Sequence, residues 1–180
     1  MTQSLEGRSA LITGAAGGFG RVLSRSFAEA GARVLATDVT AGGLDELAGE
    51  LKAAGLDGNV TTKVLDISDN AACEAAVAAA GTVDILINNG AMSMGVISAR
   101  HMTDMVTIDQ IDPAVWDKFI AVNLTGGWYL TRAVVPAMKA QKWGRIINVT
   151  TSMFTMLRGR FHPYGPSNAG LEAMSAGHAP

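Results

Sequence analysis

Short runs of apolar, mostly β-branched residues alternate with longer alanine-rich stretches along the whole chain. The short runs predict buried strands, and the stretches between them predict helices. Strands that alternate with helices pair in parallel, and continuously apolar strands are covered by helices on both faces. The sequence therefore predicts an α/β fold whose doubly wound parallel sheet is the middle of three α/β/α layers. No repeat or linker interrupts the alternation, so residues 1–180 are expected to form a single domain.

Glycine, proline and capping residues set the boundaries of these elements. Strands are predicted over residues 8–13, 33–38, 60–66, 83–88 and 145–150. Helices are predicted over residues 19–30, 44–54, from 68 or 69 to 80, from 112 towards 138, and over about 164–176. Residues 90–111 contain glycines and methionines and are longer than most connections, which indicates a functional loop.

Composition excludes several classes of protein. Hydrophobic residues make up 48% of the chain and charged residues 17%, which is typical of a folded domain. A net charge of -2 gives no reason to expect binding to nucleic acid or to a membrane surface. With no apolar run of about 20 residues and no secretory signal, the chain is expected to be cytoplasmic. Its one cysteine, Cys73, cannot form an internal disulfide, and its scattered histidines do not suggest a metal site: His101, His162 and His178.

The first predicted strand runs directly into a glycine-rich turn, from Thr13 to Gly20, that leads into a helix. A helix N-terminus offers unpaired N–H groups and a positive dipole end, which suit a pyrophosphate. Glycines let the phosphates approach the backbone closely. The turn is not a P-loop, because Arg21 follows Gly20 where that motif would have lysine and a hydroxyl residue. We therefore expect a nucleotide to be bound by Gly14, Gly17, Gly18, Phe19 and Gly20.

An acidic residue, Asp38, ends the second predicted strand eighteen residues after Gly20. A carboxylate at that place can accept hydrogen bonds from both hydroxyls of an adenosine ribose, and it would repel a 2′-phosphate. The sequence therefore predicts NAD as the cofactor, with NADP less favoured.

Several motifs, in order along the chain, resemble those of the short-chain dehydrogenase/reductase family in its single-domain form. The glycine turn is similar to that family's TGxxxGxG motif, and residues 88–91 (NNGA) are similar to its NNAG motif with the last two residues transposed. The resemblance implies a Rossmann-type fold that commonly forms dimers or tetramers. It also implies cofactor contacts beyond the glycine turn, from Asp66, Ile67, Asn88, Asn89, Gly90, Tyr164 and Asn168.

The same resemblance implies a set of catalytic positions. Asn123 corresponds to the family's structural and proton-relay asparagine, and Tyr164 heads a segment similar to the active-site helix. Thr151, thirteen residues before Tyr164, takes the place of the catalytic serine, with Ser152 beside it. A threonine hydroxyl can make the same hydrogen bond as a serine hydroxyl. Asn168 replaces the family's lysine, so an amide stands where the family has a positive charge.

These positions predict an NAD-dependent oxidoreductase that transfers hydride between nicotinamide and a secondary alcohol or ketone, with Tyr164 as acid/base. A free tyrosine has a pKa of about 10, and a neighbouring ammonium favours the phenolate, whereas Asn168 offers no charge. The family's last strands would follow Pro180, so the chain is also expected to be a C-terminally truncated form.

Two other functions stay open at this point. The first is an NAD-binding module with little or no catalysis, because Asn168 replaces the lysine and the C-terminal part is missing. The second is a methyltransferase, which is disfavoured because it leaves Thr151, Tyr164 and Asn123 unexplained. A small-molecule alcohol or ketone is the expected partner of the oxidoreductase, and its identity cannot be deduced from these residues.

Overall fold

The computed structural model describes residues 4–104 and 106–177 and centres on one parallel sheet. Its five strands lie in the order β3-β2-β1-β4-β5, and every neighbouring pair is parallel. This arrangement confirms the predicted Rossmann-type sheet. The strands are β1 (Ser9–Thr13), β2 (Arg33–Asp38), β3 (Val60–Val64), β4 (Ile85–Asn88) and β5 (Arg145–Asn148).

Seven α-helices connect or follow the strands within the described residues. Gly31 and Gly55 follow the first two helices with φ of +91° and +71°, a backbone conformation that glycine adopts without steric cost. The helices are α1 (Gly18–Glu29), α2 (Ala41–Ala53), α3 (Asn70–Ala80), α4 (Pro113–Ile120), α5 (Gly126–Ala140), α6 (Met153–Met156) and α7 (Tyr164–Gly177).

Two hydrophobic cores lie on opposite faces of the sheet, because successive side chains of a strand point to opposite sides. One core joins α1 and α2 to β1, β2 and β4 through residues such as Ile12, Leu47 and Ile87. The other joins α3 and α5 to the sheet through residues such as Leu11 and Leu130. This layering places the carboxyl ends of all five strands at one edge, where the loops that follow them meet.

The structure changes several of the predicted boundaries. β3 ends at Val64 rather than at residue 66, and β4 begins at Ile85. The single helix predicted from residue 112 is two helices, α4 and α5, joined by a π-helical segment, Ala121–Thr125. Such segments widen a helix by one residue and are frequent at functional sites.

Helices flank the sheet on both faces, as predicted, but they leave part of the edge strand β3 uncovered. Thr61 is exposed and Lys63 is half-buried, so one face of this edge strand is open. The sequence of β3, VTTKV, carries polar residues that an entirely buried strand would not have. No helix in the described part of the chain is long and apolar enough to cross a membrane.

Candidate functional site

The glycine turn joins the end of β1 to the start of α1 and is held in place by its own close packing. Gly14 has φ of +64°, and a Cβ there would come within 2.7 Å of the Cα of Gly90. A Cβ on Gly20 would collide with the backbone of Gly14 and Ala15. The chain therefore needs glycine at both positions for its own fold.

Gly17 and Gly18 differ from these two glycines, since the protein itself leaves room for a side chain. A Cβ on Gly18 would meet no atom within 4 Å, and one on Gly17 would make only an ordinary contact at 3.4 Å. Gly17 is the N-cap of α1, and no side chain caps this helix. The first N–H groups of α1 therefore face an open space beside an exposed Phe19 side chain, as a phosphate-binding helix start requires.

A cleft of about 290 Å³ opens next to this turn at the carboxyl ends of the strands. Its lining brings together five of the predicted cofactor-binding residues: Gly14, Asp38, Asp66, Ile67 and Gly90. They come from the ends of β1, β2, β3 and β4, which are neighbours in the sheet. The cleft thus lies beside the central strand β1, where doubly wound sheets bind their ligands.

Asp38 is fixed at the rim of this cleft by backbone hydrogen bonds. Its carboxylate accepts from the N–H of Ala16 at 3.1 Å and from the N–H of Thr40 at 2.9 Å. The first of these bonds ties the end of β2 to the glycine turn, so the carboxylate and the start of α1 keep a fixed separation. A carboxylate also retains acceptor sites beyond these two bonds for a further donor.

Asp66 also lines the cleft and is held by Ser68 and Lys118. Its carboxylate accepts from the hydroxyl of Ser68 at 2.6 Å and lies 3.3 Å from the ammonium of Lys118. The hydroxyl and N–H of Ser68, with a smaller contribution from Lys118, outweigh burial and hold the pKa of the Asp66 carboxyl below its ordinary value. Asp66 is therefore ionised at neutral pH.

Asn88 and Asn89 contact other parts of the protein rather than the cleft. The amide of Asn89 donates to the carbonyl oxygens of Thr13 and Gly14, at 2.9 and 3.2 Å. The amide of Asn88 donates to Asn148 at 2.7 Å, which joins β4 to β5. Within residues 88–91, Gly90 lines the cleft, whereas the two asparagine amides hold the surrounding backbone in place.

Asn123 lies in the π-helical segment and joins it to the loop that follows β4. Its side chain accepts from the N–H of Met92 at 2.7 Å and donates to the carbonyl of Met92 at 2.9 Å. Asn123 is buried, so both ends of its amide are used inside the protein. A Cβ on Gly126 would come within 2.8 Å of the carbonyl of Ile67, which shows how closely this segment approaches the end of β3.

The other predicted catalytic positions lie beyond β5. Thr151 is half-buried in the loop after the strand, and Ser152 caps α6 by accepting from the N–H of Thr155 at 3.2 Å. Tyr164 is half-buried at the first position of α7. A Cβ on Gly165 would collide with the carbonyl of Met156, so the end of α6 packs directly on the start of α7.

Asn168 is 4% exposed and lies one turn after Tyr164. Its amide donates to the backbone carbonyl of Tyr164 at 2.9 Å. This is a bond within the helix, and it leaves the Tyr164 hydroxyl without a charged neighbour from this position.

Two residues of the site were missed by the sequence prediction. The Thr13 hydroxyl accepts from the N–H groups of Asn89 and Gly90, at 3.0 and 2.8 Å, and so joins the turn to the loop after β4. Thr13 could have been found in the sequence, because its hydroxyl ends a buried strand and is followed directly by a glycine. Lys118 gives no such signal, because it reaches Asp66 from α4, 52 residues further along the chain. In residues 4–104 and 106–177 no cluster of side chains could hold a metal ion.

This geometry belongs to a known class of nucleotide-binding proteins. A profile of the short chain dehydrogenase family matches residues 8–179. The chain is therefore a member of the short-chain dehydrogenase/reductase family, as its motifs predicted.

Individual relatives share about a third of their residues with the chain. It is 36% identical to 2-keto-3-deoxy-L-fuconate dehydrogenase of Xanthomonas campestris, over 95% of the chain and 52% of that protein. It is 35% identical to 3-oxoacyl-[acyl-carrier-protein] reductase FabG of Thermotoga maritima, over 95% of the chain and 66% of that protein. The chain thus spans about one half to two thirds of the length of these relatives.

Among solved structures, a metagenomic short-chain oxidoreductase in complex with NADP superposes with a TM-score of 0.82 at 32% identity. The superposition covers 98% of this chain and 76% of that one. A putative short-chain alcohol dehydrogenase from Sinorhizobium meliloti superposes with a TM-score of 0.79 at 29% identity, covering 97% and 66% of the two chains.

Proposed function

We propose that this chain binds NAD and is an oxidoreductase acting on a secondary alcohol or ketone. The observation that carries the proposal is the cleft lined by Asp38, Asp66 and Gly14, the first glycine of the turn that leads into the uncapped start of α1. The residues fit a dinucleotide because Gly18 leaves free the space that a pyrophosphate would need. When bound, the dinucleotide supplies the hydride donor or acceptor.

Asp38 supports NAD rather than NADP. Its carboxylate is anchored at the rim by two N–H groups, so it cannot swing away from a ribose bound in the cleft. An anchored negative charge favours two ribose hydroxyls as donors and disfavours a phosphate. Arg21, the nearest cation along the turn, is already paired with Glu46 at 2.7 Å and with Glu50 at 2.5 Å.

Asp66 and Ile67 would hold the adenine, and the catalytic residues would act on the substrate oxygen. Thr151 would donate or accept a hydrogen bond at that oxygen, with Ser152 beside it, and Tyr164 would give or take the proton. Asn123 would keep the loop after β4 in place through its two bonds to Met92.

A second function, an NAD-binding module with little or no turnover, is favoured by one observation. The buried amide of Asn168 bonds to a helix carbonyl and brings no positive charge towards Tyr164. Nothing at this position therefore favours the phenolate that alcohol oxidation requires. Assembly into a homo-oligomer and a place in the cytoplasm stay predictions.

Calorimetric titration with NAD and NADP tests the cofactor assignment. Tighter binding of NAD is expected, and Asp38→Ala should narrow the difference. NADP binding as tight as NAD would contradict the assignment. Turnover with a panel of alcohols and ketones then separates the enzyme from the binding module.

A pair of glycine substitutions tests the location of the site. Gly18→Ala adds a methyl group to empty space at the start of α1, so the fold should tolerate it while NAD binding weakens. Gly42→Ala is the matched control, because it adds the same group to empty space at the start of α2. Equal NAD affinity in the two variants would place the cofactor elsewhere.

A further inference from the structure

A second groove lies on the face of the sheet that carries α3, towards the amino ends of the strands. Its volume is about 410 Å³, and it shares no lining residue with the cleft described above. Its floor includes Leu35 of β2 and Thr61 of β3, which are paired across the sheet. Ala79 and Ala80, at the end of α3, form one wall, and their small side chains leave the groove open.

Two cationic residues, Arg33 and Lys63, line this groove at different positions along the strand direction. Lys63 is paired with Thr37, and Arg33 lies four residues earlier on the same strand as Thr37. A strand rises about 3.3 Å per residue, so the two backbone positions are about 13 Å apart along the strands. Leu35 lies between them in the sheet.

Neither cation has an acidic partner within salt-bridge distance in the described residues. The groove lining includes no aspartate or glutamate. The side chains of Thr61, Thr62 and Asn59 also line the groove and make no hydrogen bond with the described parts of the protein. The groove therefore offers unpaired donors around an apolar floor.

We propose that this groove binds a linear aliphatic carboxylate. The alkyl chain would lie on Leu35 and against Ala79 and Ala80, and the carboxylate would pair with Arg33 or Lys63. Positive charge without a counter-charge selects an anion, and the apolar floor selects one that has a hydrocarbon body. The proposal does not depend on the proposed oxidoreductase function.

Calorimetric titration of the 180-residue chain with decanoate, below its micelle concentration, tests the proposal. Saturable binding of one decanoate per chain is expected, and it should be unchanged when NAD is present at saturation. Inorganic phosphate probes the charge alone, and decyltrimethylammonium probes the alkyl chain with the opposite charge. Both should bind at least tenfold more weakly than decanoate, and equal binding of either would overturn the proposal.

Two sets of variants locate the bound decanoate. Arg33→Gln combined with Lys63→Gln should weaken binding up to about fivefold, because the ion pair of the carboxylate is lost whichever of the two cations forms it. Lys52→Gln removes an exposed cation of α2 outside the groove and should change nothing. Unchanged decanoate affinity in the double variant would overturn the proposal.

Ala79→Phe keeps both cations but fills the groove with a large side chain, so it should abolish decanoate binding. Ala78→Phe is its matched control, since Ala78 is an exposed neighbour on α3 that does not line the groove. Equal decanoate affinity in these two variants, with melting temperatures like that of the parent chain, would show that the alkyl chain lies elsewhere and would contradict the proposal.

Discussion

Replacing Asn168 by lysine tests directly how the proton of the proposed reaction is handled. The substitution removes the bond from the Asn168 amide to the carbonyl of Tyr164, 2.9 Å long, and brings an ammonium to the buried face of α7. Loss of that bond should cost about 1 kcal/mol in the free energy of unfolding. A lysine stem is longer than an asparagine side chain, so its ammonium can extend beyond the helix towards the tyrosine hydroxyl.

The expected gain in rate follows from the effect of a nearby cation on a phenol. An opposite charge within about 4–6 Å lowers a pKa by one to three units, and each unit is worth 1.36 kcal/mol. A free tyrosine is almost entirely protonated at neutral pH, so a shift of that size raises the phenolate fraction of such a group by about one to three powers of ten. Alcohol oxidation requires the phenolate and should gain that factor, whereas ketone reduction should gain less.

The assay compares the two directions of turnover, with NAD and with NADH, as a function of pH. Asn168→Lys should raise oxidation more than reduction and should move the oxidation profile to lower pH. Tyr164→Phe in the Asn168→Lys background should abolish the gain, because the lysine acts through that hydroxyl. Equal oxidation rates and equal pH profiles for Asn168→Lys and the parent chain would refute this reasoning.

Three further predictions concern stability and reactivity. Gly126→Ala places a methyl group 2.8 Å from the carbonyl of Ile67, and urea denaturation should show a loss of about 1–3 kcal/mol. Asp84 has a lowered pKa because hydrogen bonds from Ser9, with help from a salt bridge, outweigh the raising effect of burial. Its stabilisation is therefore complete above the unfolded pKa of about 3.9 and is lost as pH falls further, so Asp84→Asn should flatten the stability profile below pH 4. Burial, with nearby carboxylates, raises the pKa of Cys73 to about 11, so iodoacetamide at pH 8 should label the native chain far more slowly than the urea-unfolded chain.

The order of strands and helices could be predicted because each signal is local. Mostly apolar strands such as β1 and β4 can be told apart from helices that end at a glycine. The alternation of the two kinds of element then leaves few possible strand orders. The nucleotide turn could be predicted for the same reason, since its glycines, strand and helix are adjacent in sequence. The position of Asp38 could be predicted in the same way, because this residue ends the next strand along the chain.

The remaining features depend on contacts between distant residues. The pairing of Asn89 with Thr13 spans 76 residues, and nothing near either residue indicates it. The open face of β3 arises because α3 packs against α5 rather than over β3, and the polar residues of β3 were the one local signal of it. The junction of α4 and α5 was missed because the π-helical segment, AVNLT, contains no glycine or proline to mark a break.

Binding of the adenosine half of the cofactor and turnover should be separable in this chain because they rest largely on different segments. Every residue that lines the cleft lies between Gly14 and Val122 in the sequence. The predicted acid/base, Tyr164, and the predicted hydrogen-bonding hydroxyl, Thr151, lie after β5, and the helix that begins with Tyr164 contacts the π-helical segment. A change at Asn168 can therefore reduce the reaction while the adenosine half of the site keeps its geometry. By the same argument, strong NAD affinity measured in this chain would support the cleft without arguing for catalysis.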